Sequence, residues 1–98
     1  MIKLYKLISG EEIIATQVQD GTDFIQIKEA VTLVYHEVSP GQMSVGFAPF
    51  MNYADGSIRL YTNSLACCAD VKDQLKQEYI RMHSRIVVAP ASALNLQS

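Results

Sequence analysis

Side chains able to do covalent or acid–base chemistry are few and scattered. The chain holds two histidines, His36 and His83, and two cysteines, Cys67 and Cys68. Catalysis of that kind needs a nucleophile held beside a base, or a base tuned by its neighbours. No Ser/His/Asp context surrounds these residues, and no glycine-rich phosphate loop occurs in the sequence. His36 falls late in a predicted strand and reads as structural. His83 falls near the end of a predicted helix, where the helix dipole favours an imidazolium. Cys67 and Cys68 are adjacent, and successive strand residues face opposite sides, so they do not pair with each other. No CxxC or Cys/His spacing for zinc exists. The two thiols read as small reduced hydrophobes, in keeping with a reducing compartment. The carboxylates are dispersed: Glu11 and Glu12 in a turn, Asp70 and Asp73 at a helix start. The sequence therefore predicts no enzyme, no metal site and no cofactor.

The composition bounds what else the chain can be. Its 98 residues suit one domain spanning 1–98, large enough to fold without disulfides. At 49% hydrophobic and 18% charged it is somewhat apolar. Two readings of that excess stand side by side: a well-filled core, and a surface buried between copies. The net charge of −2 gives no overall basic footprint. Any nucleic-acid contact must then come from a local set of donors. The N-terminal residues, Met1 to Lys6, lack the basic head and long apolar run of a signal peptide. No run approaches the ~18 apolar residues of a membrane span. The expectation is a soluble cytoplasmic protein with no membrane partner.

The elements that must position the side chains are mostly strands. Residues 2–8 read as a strand of β-formers with interleaved lysines, and 11–19 as a second strand with apolar residues on both faces, the two separated by a turn at Ser9-Gly10. Asp20-Gly21 between two β-rich runs is a hairpin signal, because both residue types tolerate positive φ. The third strand runs from Phe24 to about Val38, long against the usual ~5–6 residues. Its odd-numbered Ile25, Ile27, Val31 and Leu33 share one parity and so one face, with a bend at Lys28-Glu29-Ala30. Ser39-Pro40-Gly41 turns the chain into a fourth strand from Gln42. In it Met43, Val45 and Phe47 oppose Gly46 and Ala48, and Pro49 marks an edge. Asp55-Gly56 is either a second hairpin turn or an interruption of one long, bent strand, and the run that follows favours interruption. The barrel spans about 2–68. A helix over about 70–83 follows, capped by Asp70, with Val71, Leu75, Tyr79 and Met82 as its apolar stripe. Residues 85–90 read as a short apolar, strand-like tail stopped by Pro90, and 91–98 as a frayed end.

Two stretches carry a family resemblance. The order Gly10, apolar strand, Asp20, then Ile25-x-Ile27 with Glu29-Ala30 resembles the first motif of the Sm and Sm-like (LSm) family. Ile58-Arg59-Leu60, Tyr61-Thr62-Asn63 and Leu65 to Cys68 resemble its second motif, with Asn63 as the matching loop residue. The family includes the bacterial Sm-like RNA chaperone, and the likeness is greatest to divergent Sm-like proteins of phage and cyanophage type. Asp23-Phe24 stands where the family has Met-Asn, and Tyr61-Thr62 where it has Arg-Gly.

The resemblance implies a fold and a partner. The fold is a mostly β, five-stranded, strongly bent antiparallel Sm-like (SH3-like) barrel, here with one C-terminal α-helix. The implied partner is the chain itself, in a homo-oligomeric ring, in the host cytoplasm if phage-encoded. Single-stranded RNA is the implied ligand, met by Asp20, Asp23 and Phe24 from one loop and Tyr61, Thr62 and Asn63 from the other. Phe24 and Tyr61 would stack bases and Asn63 would bond a base edge. The matched loops carry neither Arg nor Lys, so such contacts are expected to be aromatic and polar. A structural or protein-interaction module of phage origin, built on the same barrel without RNA, is the alternative.

Overall fold

The computed structural model describes the backbone of residues 1–93 and the side chains of residues 1–83. Six strands form one antiparallel sheet: β1 (Ile2–Leu7), β2 (Glu12–Gln19), β3 (Phe24–Ser39), β4 (Gln42–Pro49), β5 (Ile58–Tyr61) and β6 (Leu65–Asp70). A 3₁₀ turn over Thr62–Ser64 joins β5 to β6, and helix α1 (Asp73–Ala93) ends the described chain. Consecutive hairpins place β1 to β4 side by side, and β6 lies on the free side of β1, giving the order β4-β3-β2-β1-β6. β5 pairs the beginning of β3, on the side opposite β2. The ladder does not close on itself.

The count of six, against the five expected, comes from one split strand. β4 and β5 run in the same direction along β3: Gln42 to Pro49 oppose Ser39 to Val31, and Ile58 to Tyr61 oppose Ile27 to Phe24. Residues 50–57 loop out opposite the bend of β3. Asp55-Gly56 is thus an interruption, as its surroundings suggested. Pro49 has no N–H to continue the ladder, and Gly56 takes the left-handed conformation, with φ 78°.

The bend in β3 decides which side chains meet. Glu29 has φ 56°, a left-handed conformation uncommon outside glycine. Register between β2 and β3 shifts there: Ile14 opposes Val31 but Thr16 opposes Lys28. One extra residue sits on β3, and a one-residue slip turns the side chains that follow to the other face. Ile25 and Ile27 therefore enter one cluster with Tyr5, Leu7, Ile13, Ala15, Ala30 and Leu60. Val31 and Leu33 enter a second, with Ile14, Val71 and Tyr79. The single face expected from odd parity is split between two cores. Tyr5 is deep in the first, its hydroxyl donating to Gln17 Oε1 at 3.0 Å. Burial pushes its pKa up to about 12.

The second cluster is where α1 docks. Val71 and Tyr79 are buried, and Leu75 and Met82 pack on them half-buried. The stripe expected from the spacing is the docked one, and it covers the outer face of the sheet with the chain's own helix. Its start is later than expected. Asp70 belongs to β6, opposite Lys3, and its carboxylate is held by the Lys3 ammonium at 2.7 Å. That contact lowers the Asp70 pKa and raises that of Lys3. The first turn carries Asp73 instead, an acid suited to the N-terminal end of the dipole. The backbone of 85–90 belongs to the helix, not to a strand-like tail. Propensity is a weak prior, and a docked helix propagates cheaply through β-branched residues. His83 is consequently inside α1 rather than at its end. Of the expected frayed end, residues 94–98 lie outside the described residues.

Turn chemistry differs from expectation at one glycine. Gly41 does adopt φ 81° after Pro40. Gly21 has no left-handed backbone: a Cβ there would stand 2.4 Å from the Phe24 carbonyl oxygen. Its lack of a side chain permits close approach of the loop's two ends. Cys67 and Cys68 are free and both exposed on β6, not buried as small hydrophobes.

Candidate nucleic-acid interface

The two loops singled out in the sequence meet. β3 and β5 pair with Phe24 opposite Tyr61, and the residues flanking that pair are stitched together. The Thr62 amide donates to the Asp23 carbonyl at 2.9 Å. The Thr62 hydroxyl lies 3.0 Å from the Thr22 carbonyl oxygen and 3.1 Å from that of Asp23, able to donate to either. Thr62 is therefore a fastener between the loops rather than a free ligand group. On the other side of the turn, the Ser64 hydroxyl donates to the Tyr61 carbonyl at 2.6 Å.

Phe24 and Tyr61 form an edge-to-face pair, with centroids 5.8 Å apart and planes at 61°. Such pairs add to the stabilisation from burial alone. Tyr61 is 51% exposed, whereas Phe24 is half-buried. Tyr61 thus presents the open π surface and Phe24 supports it. The Arg59 guanidinium stands over the Phe24 ring, 5.3 Å from its centroid. This residue was missed by reading the loops alone. The register gives the signal that would have found it. Arg59 is two residues from Tyr61 on β5, hence on the same face and diagonal to Phe24. The loops themselves carry no cation, as read; Arg59, on β5 just outside them, brings one guanidinium over the Phe24 ring.

The remaining residues are distributed around this group. Asp20 accepts the Gly21 amide at 2.9 Å, so its carboxylate is engaged in forming its own turn. Asp23 is exposed, as is Asn63 on the 3₁₀ turn. A shallow cleft of about 220 Å³ lies along residues 19–24 and Gln26. The arrangement offers an exposed ring, a cation already stacked on an aromatic, and an exposed carboxamide. Two carboxylates nearby oppose anions. Planar groups can stack here, and Arg59 can meet one phosphate.

Among the described residues, no group of three or more His, Cys, Asp or Glu could hold a metal ion. None of the described helices is long and apolar enough to cross a membrane. No protein-family model matches the chain, and no curated protein matches it.

Proposed function

We propose that this chain is an Sm-like protein: a strongly bent barrel that assembles into a homo-oligomeric ring and binds single-stranded RNA at the Phe24–Tyr61–Arg59 group. The observation that carries this reading is the convergence of the two motif-like loops. Phe24 and Tyr61 stand in register, Thr62 fastens the loops, and Arg59 supplies a cation. Aromatic side chains on which bases stack are a recurrent part of single-strand binding sites, and a cation beside them adds a phosphate contact.

The barrel reading is supported by the path of the chain. β5 leaves β3 at Tyr61, and after three intervening residues β6 takes up pairing with β1, Leu65 opposite Leu7. The 3₁₀ turn carries the chain from one side of the sheet to the other, so covalent continuity stands where the ladder is open. Ring assembly is supported by the two open edges. β6 is exposed from Ala66 to Asp70 and holds no charge before Asp70. β4 exposes Met43 and Val45. Unprotected apolar edges invite strand addition, and two different edges pairing head to tail generate a ring when the rotation closes.

The alternative, a protein-interaction module without RNA, is favoured by Asp20 and Asp23 beside the rings. Titration of oligo-U and oligo-A at two salt concentrations separates the readings. Saturable binding is expected, with a salt slope of about −0.7 for one phosphate contact per chain. Tyr61→Ala and Phe24→Ala should each cost ~1–3 kcal/mol. Arg59→Gln should flatten the salt slope, and Asn63→Ala should relax base preference. Wild type that does not saturate at low salt, or variants that bind as wild type does, would remove RNA from the function.

A further inference from the structure

A second concave site lies away from the loops just described. The bend of β3, residues 50–57 and helix α1 enclose a cleft of about 400 Å³, within the range of small-molecule sites. It opens at the seam between the two cores: Phe50 packs on the first and Phe47 and Met82 on the second, and all three line the cleft. Two non-glycine residues with left-handed backbone, Glu29 and Met51 (φ 56° and 55°), stand at its wall. Such conformations cluster at ligand clamps. His83 also lines it. Its Nε2 is buried and has no hydrogen-bond partner among the described residues. Its ring is fixed edge-to-face against Tyr79 at 4.5 Å. A buried polar atom without a partner requires an explanation.

We infer that this cleft binds an uncharged planar heteroaromatic ring of purine or benzimidazole type. Phe47, Phe50 and Met82 line it with two aromatic rings and a polarisable sulfur, which suit a flat aromatic ligand. His83 Nε2 accepts in one tautomer and donates in the other, and the Asn52 carboxamide does both. A ring edge carrying donors and acceptors together satisfies either case. The Glu29 carboxylate disfavours an anion. The ligand is therefore a free ring or nucleoside, not a phosphate-bearing strand. The inference does not depend on RNA binding at Tyr61.

The test is an NMR titration of the full chain with adenine and benzimidazole, with benzoate and toluene as controls. Saturable shifts of the His83 ring and Asn52 side-chain signals are expected with the first two, and binding about tenfold weaker with the controls. His83→Phe keeps the ring contact with Tyr79 and removes the nitrogen. Asn52→Ala changes an exposed loop residue and leaves the cores untouched. Each should weaken adenine binding about tenfold, while Tyr61→Ala leaves it unchanged. Absence of saturation at millimolar adenine, equal binding of benzoate or toluene, or wild-type binding by Asn52→Ala would overturn the inference. Displacement of adenine by an oligoadenylate would overturn the assignment to a free ring.

Discussion

Removing one hydroxyl, in Tyr79→Phe, tests how the helix and the bend of β3 hold each other. Tyr79 is 2% exposed. Its hydroxyl donates to the Glu29 carbonyl at 2.8 Å and lies 3.0 Å from the Thr16 hydroxyl. One side chain from α1 thus ties β2 to the left-handed residue of β3. Phenylalanine keeps the ring in place against His83, so no large cavity forms. What is lost is the hydrogen bonding, worth ~0.5–1.5 kcal/mol, together with the cost of leaving the Glu29 carbonyl without its partner. Thr16 is half-buried and turns to water. Removing one partner in this way costs ~1–3 kcal/mol, or a fall in Tm of about 5–20 °C for a domain of this size. Thermal unfolding followed by circular dichroism at one fixed protein concentration measures it. Glu29→Gly supplies the second arm. Glycine relieves ~1–2 kcal/mol of left-handed strain against ~0.5–1 kcal/mol of added chain entropy, so it should be neutral or slightly stabilising. The double variant should lose less than the sum of the two. A fall under about 2 °C for Tyr79→Phe, or strict additivity in the cycle, would refute the idea that this hydroxyl holds the bend.

Two further expectations concern assembly and pH. Ala69→Lys on β6 and Met43→Lys on β4 place charges on exposed edge positions. Each should leave the folded chain intact but convert the proposed ring to monomer in light scattering, and a wild type that is already a monomer at micromolar concentration would reject the ring. The raised Tyr5 pKa gives the alkaline limit. Folding holds this proton more tightly than the ordinary value of 10 would, so its contribution to stability is complete below pH 10 and is lost as pH rises towards about 12. Ultraviolet titration should show a late tyrosine ionisation accompanied by unfolding, and Tyr5→Phe should reduce its amplitude while Tyr35 and Tyr79, whose pKa values are also raised, keep the rest.

Local patterning made much of this molecule legible. The limits of the first three strands, the bend at Glu29, the turn at Gly41 and the helix stripe all follow from periodicity and turn chemistry. What escaped depends on contacts distant in sequence. The split of β3 between two cores arises from a register slip against β2, which β3 does not encode alone. Asp70 looked like a helix cap because its claim by Lys3 is visible only once β1 and β6 are paired. Arg59 was absent from the candidate site because it lies outside both loops and arrives through the β3–β5 register. The cleft at His83 had no local signal, since its walls come from three places distant in sequence: β3, the interruption after β4, and α1.

The pairing of β1 with β6 sets the order of events during folding. Lys3 and Asp70 are 67 residues apart in sequence, whereas β1 to β4 are joined by short hairpins. Closing so long a loop costs entropy that no local contact offsets until late. The hairpin sheet forms first, and the outer side of β1 waits for β6. During synthesis that side stays open until residues 65–70 have left the ribosome, a period in which a second chain can occupy it. Pulse-labelled amide exchange should find the β2–β3 amides protected before those of β6. Simultaneous protection would mean that closure is part of the nucleus.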